Sequence, residues 1–318
     1  MKIITHEQIK NLNISPIDAY EWVEHDFMHK PEMVLPEKIS LRYGENNFFN
    51  TMPCIIPQEN IAGVKVIHRH IGATPTLQSS LMLFDLQTGN PLALMESIYI
   101  TALRTGAVAA LSAETFAVKD YETIGFMGLG NTCYAAFDVL YQKRKKDGKK
   151  PLKVYLLKYK DQSEKFIKRF EKYSETEFIT VNSFDEIIEN CNVIMSCVSI
   201  KSGTFKEAEA YRNGVTIIPV HLNGFQNCDT VFDRVYCDDV GHVSGFKYFN
   251  EFSKRNFAEI GEVLRGEKEG RQNDDERILV YSVGLSIHDI YFAKKIYDLL
   301  ENSSKDVDLK TPVGKIYY

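Results

Sequence analysis

A short run, Glu122-Thr-Ile-Gly-Phe-Met127, breaks at Gly128-Leu-Gly130, and a helix-compatible segment, Asn131-Thr-Cys-Tyr-Ala-Ala-Phe137, follows at once. Strand, glycine turn and helix in that order form a site for a nucleotide pyrophosphate. Gly128 permits the tight turn. Gly130 lets the backbone come close to phosphates whose charge meets the free N–H groups and positive dipole end of the helix. The third fingerprint position holds Cys133, small enough for close helix-to-strand packing, so the pattern reads G-x-G-x-x-C. A strand-turn-helix that binds nothing shows the same local pattern, so the reading needs support from the rest of the chain. Arg104 offers some. It sits among Ala102, Leu103, Ala107 and Ala110 on a helix that must be largely buried. A buried guanidinium requires an anion, either a ligand carboxylate gripped by two parallel bonds or an internal Asp or Glu.

The elements around these residues fit a soluble, two-domain α/β protein. The chain has 318 residues, 44% of them apolar and 25% charged, enough to bury a large core. No apolar stretch reaches a membrane span, because the best candidate, Leu92 to Leu111, is interrupted by Glu96 and Arg104. The N-terminus lacks an export signal. The six cysteines show no C-x-x-C pair, which fits reduced thiols and a cytoplasmic location. The net charge of -5 argues against general nucleic-acid binding. The one basic run, Lys143-Arg-Lys-Lys-Asp-Gly-Lys-Lys150, reads as a solvated helix end.

From Thr123 onward, short β-type runs alternate with helical segments, as a doubly wound parallel sheet requires. Strands are expected at 123–127, 152–157, 177–181, 192–198, 215–220, 234–237 and 277–282. A capping box at Ser183-Phe-Asp-Glu186 opens one helix, and Asn213-Gly214 closes another. Before Thr123, a helix over Pro16–His29 precedes antiparallel strands at 38–43, 64–70 and 80–94, the last folded at Gln87-Thr-Gly-Asn-Pro91. A long helix over 98–118 leads into the nucleotide domain. The apolar face of a helix over 287–300 has nowhere to be buried except back on the first domain. The expected division is 1–118, completed by 290–318, for substrate binding and dimerisation, and 119–289 for the dinucleotide.

Several segments now resemble one family. Leu86-Gln-Thr-Gly-Asn-Pro-Leu-Ala-Leu-Met95, Ile100-Thr-Ala-Leu-Arg-Thr-Gly-Ala-Val-Ala-Ala110, the glycine turn, Arg271-Gln-Asn-Asp-Asp-Glu-Arg-Ile278 and Ser282-Val-Gly-Leu-Ser-Ile-His-Asp289 together look like the ornithine cyclodeaminase/mu-crystallin family. The likeness runs from Arg42 to Asp289 in the right order, which is more specific than a lone fingerprint. It implies a homodimer built through the N-terminal domain, a bound nicotinamide cofactor, and chemistry at the α-carbon of a small amino acid or its imine.

By that resemblance Arg42, Lys65 and Arg104 hold the substrate carboxylate, Thr76 lies near the substrate, and Lys65 polarises the reacting group or relays its proton. The cofactor would lie over Gly128, Gly130, Asn131, Thr132 and Cys133, along Ser196 to Ser199, and toward Gly284, within Ser282 to Asp289, at the nicotinamide end. Internal salt bridges remain the alternative for each cation. Cyclodeaminases carry an aspartate after the fifth nucleotide-domain strand, where this chain has Asn223. An amide cannot take a proton, so oxidoreduction of an amino acid or ketimine is favoured over cyclodeamination with catalytic NAD+. Asp229 and Asp233 could substitute for the missing acid. A cofactor-bound protein without catalysis is a third reading, against which Lys65 and Arg104 count. Lys158, at the end of the second nucleotide-domain strand, stands where an NAD site wants an acid. NADP(H) is therefore slightly favoured, unless Asp161 serves as that acid. His68 and His70 share a strand face but lack a third ligand, so no metal is expected.

Overall fold

The computed structural model describes residues 1–198, 203–221, 223–300 and 305–309. The chain opens with β1 (Lys2–Ile4), α1 (His6–Asn11), α2 (Pro16–His29), β2 (Ile39–Tyr43), β3 (Asn47–Ile56), β4 (Ile61–Arg69), β5 (Leu77–Asp85), β6 (Pro91–Glu96) and α3 (Ile98–Phe116). It continues with β7 (Thr123–Met127), α4 (Asn131–Lys146), β8 (Lys153–Leu157), α5 (Gln162–Phe170), β9 (Glu177–Val181), α6 (Phe184–Asn190), β10 (Val193–Ser196) and β11 (Thr216–Pro219). The last elements are β12 (Arg234–Cys237), α7 (Val240–Val243), α8 (Phe249–Phe252), β13 (Phe257–Glu259), α9 (Ile260–Leu264), β14 (Ile278–Tyr281), α10 (Ser286–Leu300) and β15 (Lys305–Asp306). Two compact units result. One holds Met1–Ile14, His29–Thr101 and the described residues from Ser286 on; the other holds Ser15–Met28 and Ala102–Leu285.

The first unit is a seven-stranded sheet in the order β15-β1-β6-β5-β4-β3-β2, antiparallel except where β1 runs parallel to β6. Every second residue of Ile61-Ala-Gly-Val-Lys65 is buried, the period of a strand with one covered face. The cover is α10. A Cβ on Gly63 would collide with the Ile290 side chain, so a glycine in mid-strand lets the helix approach this closely. The opposite face carries Leu41, Phe49, Val66, Met82 and Leu94, by the register of β2 through β6. Leu41 there is 59% exposed, an open apolar surface on this unit.

The second unit is an eight-stranded sheet in the order β13-β12-β14-β11-β10-β7-β8-β9, parallel throughout. Strands β10, β11, β12 and β14 are buried at every residue, as a sheet covered on both faces requires. Arg271 ties the strand starts to α3. Its guanidinium donates to the carbonyls of Phe116, Asn273, Glu276 and Gly214 and to the Thr216 hydroxyl. The Arg271 segment is thus structural. The Ser183–Glu186 capping box opens α6 as expected.

Several local expectations change. The run at 80–94 does fold between Asp85 and Pro91 as expected, giving two strands, β5 and β6. Strand β3 escaped notice because Pro53 interrupts its pattern; the structure uses the Pro53 carbonyl, which accepts the Ser286 hydroxyl 2.9 Å away. Gly214 adopts φ +79° as anticipated, but the segment before it is only a 3-10 turn at Ala208–Ala210. The basic run is less solvated than its composition suggests. Arg144 is 4% exposed and holds Glu114 together with the carbonyls of Tyr121 and Lys150. Lys143, Lys146, Lys149 and Lys150 each pair with an acid. Among the described residues no helix is long and apolar enough to cross a membrane.

One buried acid makes stability depend on pH. Asp229, 1% exposed, accepts the Tyr281 hydroxyl at 2.5 Å, and its other oxygen has no partner. Burial pushes its carboxyl from the usual 3.8 up to about 7. An acid raised in the native state stabilises that state below its unfolded pKa and loses the contribution as pH rises through the folded pKa. We predict that raising the pH from 4 to 8 removes up to about 4 kcal/mol from this group. Asp229→Asn, which keeps an acceptor for Tyr281, should flatten that slope in denaturant titrations. An unchanged pH dependence in the variant would show that the carboxyl titrates normally.

Candidate active site

The two turn glycines have different reasons to be glycine. Gly128 follows β7 with φ +76°, and a Cβ on it would lie 2.6 Å from Val198 Cγ1 and 2.8 Å from the Cys197 carbonyl carbon. Backbone conformation and protein packing both require it. Gly130 is the N-cap of α4 at φ -97°, a conformation open to any residue. A Cβ there would meet nothing within 4 Å. The space in front of Gly130 is therefore left by the protein, at the end of a helix whose first amides, from Asn131, Thr132 and Cys133, have no intrahelical acceptor. A dinucleotide pyrophosphate fits that cradle.

Around the turn the sequence packs tightly. Cys133 is fully buried, and burial, with Cys197 adding to it, pushes its thiol well above the usual range, so it serves as a small apolar spacer. Helix α3 lies directly on α4, since a Cβ on Gly106 would stand 2.5 Å from the Ala136 nitrogen. Lys158 follows the last residue of β8 and is exposed. Asp161 is not the acid of this strand end: β8 stops at Leu157, and Asp161 precedes α5 and pairs with Lys165 at 2.8 Å. Ser199, expected along the cofactor, lies outside the described residues.

Arg104 is 5% exposed on α3. Its guanidinium lies against Gly284, where a Cβ would be 2.5 Å from Nη1 and 3.1 Å from Nη2. Gly284 has φ +96° and donates its N–H to the buried Asp238 carboxylate at 2.5 Å. Two expected site residues of this unit, Arg104 and Gly284, are thus in contact.

In the sheet unit, Lys65 and Asp289 form an ion pair at 2.8 Å with both side chains fully buried. The internal partner left open for Lys65 is therefore Asp289, in the C-terminal motif. Arg42 shares the α10-facing side of the sheet with Lys65, because Arg42, Phe48 and Arg69 stand in register and Arg69 is four residues from Lys65. It is exposed on the edge strand β2. Thr76 is also exposed and donates its hydroxyl to the Ala73 carbonyl at 3.1 Å, a turn contact.

The strand end where an acid was sought holds a histidine instead. Asn223 is exposed and accepts a long bond from Gln226 at 3.4 Å. His221 Nε2 lies 2.7 Å from the hydroxyl of Ser196, the last residue of β10. Burial pushes the imidazole down to about 4, so it is neutral at pH 7. Its Nδ1 is buried without a hydrogen-bond partner among the described residues. Neither aspartate replaces the missing acid. Asp229 is committed to Tyr281, and Asp233 accepts the Arg277 N–H at 2.8 Å. Sequence reasoning named Ser196 but missed its partner His221, and it missed Asp238. The available signal was their position immediately at or after the carboxyl ends of parallel strands, where ligands gather in open α/β sheets.

The fold and turn define a class: a two-unit α/β protein with a doubly wound dinucleotide domain. Residues 2–229 and 241–304 match the ornithine cyclodeaminase/mu-crystallin family, and the chain belongs to it. An alanine dehydrogenase of Archaeoglobus fulgidus is 29% identical over 99% of each chain. A Δ1-pyrroline-2-carboxylate reductase of Bacillus cereus is 25% identical over 93% of this chain and 95% of its own. The solved structure of an archaeal alanine dehydrogenase dimer with bound NAD superposes with a TM-score of 0.82 at 25% identity, covering 97% of this chain and 99% of that one.

The open space at Gly130 yields a direct prediction. Gly130→Val should keep the fold, since a Cβ there meets no described protein atom within 4 Å, yet abolish NADPH binding in a fluorescence titration by occupying the phosphate cradle. A folded variant with undiminished affinity would place the pyrophosphate elsewhere.

Proposed function

We propose that this chain is an NAD(P)-dependent oxidoreductase acting at the α-carbon of a small amino acid or its imine. One observation carries the choice over cyclodeamination: the position of the cyclodeaminase acid holds exposed Asn223, and both nearby aspartates are engaged in internal contacts. Ring closure needs a distal amine held and deprotonated, and an amide can only hold it. The substrates named for the alanine dehydrogenase and pyrroline-carboxylate reductase relatives support the same chemistry.

A bound nicotinamide would supply hydride transfer to or from Cα. The chain's own groups do the rest. The Gly128–Gly130 turn and the start of α4 hold the pyrophosphate. Arg104, confined by Gly284, anchors the substrate carboxylate; Arg42, Lys65 and Thr76 are assigned to the same substrate by family resemblance. His221, neutral at pH 7, would add no positive charge at the strand ends where the cofactor would bind. Lys158, with no acid at the end of β8, supports NADP(H). The open apolar face of the seven-stranded sheet, with Leu41, Phe49 and Leu94, supports a homodimer formed through that unit.

Two experiments test this reading. Turnover of L-alanine or L-proline should change reduced nicotinamide in proportion to substrate, and Arg104→Met should lose roughly 2–5 kcal/mol of transition-state binding. Conversion of ornithine to proline with ammonia release and no net change in cofactor would reverse the assignment; full activity in Arg104→Met would move the anchor. For cofactor choice, NADPH should bind at least as well as NADH, and Lys158→Asp should shift the preference toward NADH. A native NADH preference indifferent to that substitution would exclude Lys158 from the ribose.

A further inference from the structure

Asp238 is the first residue after β12, and two hydrogen bonds fasten it to the exit of the neighbouring strand. Its N–H donates to the Tyr281 carbonyl at 3.1 Å, and its Oδ2 accepts the Gly284 N–H at 2.5 Å. The two bonds span Tyr281 to Gly284, most of the turn between β14 and α10. The carboxylate is 1% exposed, and His242 Nδ1 lies 3.9 Å from Oδ1. A bond from a backbone amide to a buried carboxylate is among the stronger kinds.

What the turn touches gives this staple its significance. Gly284, at φ +96°, presents its missing side chain to Arg104, with Nη1, Nη2 and Cζ at 2.5, 3.1 and 3.2 Å from where a Cβ would stand. No L side chain fits there without moving the guanidinium. Arg104 is nearly enclosed, and Gly284 bounds the space its two nitrogens can occupy. A fork that grips a carboxylate through two parallel bonds tolerates little displacement.

We infer that Asp238 is a positioning residue: by holding the Gly284 amide it sets the orientation of the Arg104 guanidinium that receives the substrate carboxylate. The inference rests on the proposed role of Arg104. The carboxylate acts as a hydrogen-bond acceptor of fixed position, so an amide oxygen at the same place can replace it.

The test compares Asp238→Ala, Asp238→Asn and Gly284→Ala, by crystal structure and by kinetics with L-alanine and L-proline. Asp238→Ala and Gly284→Ala should displace the Arg104 guanidinium. They should also raise KM for the amino acid about tenfold or more, and Asp238→Ala should leave kcat within about threefold and NADPH affinity within about twofold. Asp238→Asn should restore the guanidinium position and most of the KM. Gly284→Ala keeps the test decisive if Asp238→Ala fails to fold, because it disturbs the same contact from the other side. An Arg104 unmoved in both variants would overturn the inference, as would an unchanged KM in a folded Asp238→Ala or an Asp238→Asn as impaired as Asp238→Ala. If the wild-type protein oxidises neither amino acid but Arg104 moves as described, the functional reading fails and the positioning role stands.

Discussion

A lysine ammonium and an aspartate carboxylate, 224 residues apart, meet at 2.8 Å with neither side chain touching solvent. Each charge makes the other tolerable in the interior, and removing one partner of such a pair costs about 3–5 kcal/mol. The pair therefore acts as a constraint. Strand β4 can carry Lys65 on its covered face only if the chain, after completing the doubly wound sheet, returns α10 to that face. Ile290, the residue after Asp289, fills the space left by Gly63, so charge pairing and close packing specify the same registration of helix on sheet.

The nucleotide unit meets its constraints through backbone groups. Arg271 satisfies carbonyls from three separate segments, which leaves the carboxyl ends of the strands free for other work. At those ends the local choices are unusual: a neutral histidine on Ser196, a buried aspartate on Gly284, and one glycine required by packing beside another that packing does not require. Residues that break a local rule without serving the core mark where an open α/β sheet meets its ligand.

The same environment separates two chemistries available to the family. Cyclodeamination needs a carboxylate that both holds and deprotonates a distal amine. Here the aspartates near the end of β11 are absorbed by Tyr281 and Arg277, and the exposed position is an amide. Oxidation or reduction at Cα asks less of the protein: an anchored carboxylate, a placed cofactor, and little charge beside the reacting ring.

The sequence by itself determined the parallel strands, the helices α3 and α4, the capping box and the glycine turn, because each is signalled by a pattern among residues close in the chain. It also pointed to Arg104, since an arginine in an alanine-rich helix announces a buried charge. Strand β3 was hidden by Pro53, whose cost depends on its neighbours. Only the tertiary structure decided that Lys65 pairs with Asp289, that Arg144 is enclosed by Glu114 and two carbonyls, that Gly130 faces open space while Gly128 is wedged against Val198, and that Asp238 fastens the turn against Arg104. Those pairings join residues tens to hundreds of positions apart. Local propensity and periodicity carry no information about which distant group will arrive, and the partner of a buried charge is set by how the chain closes around it.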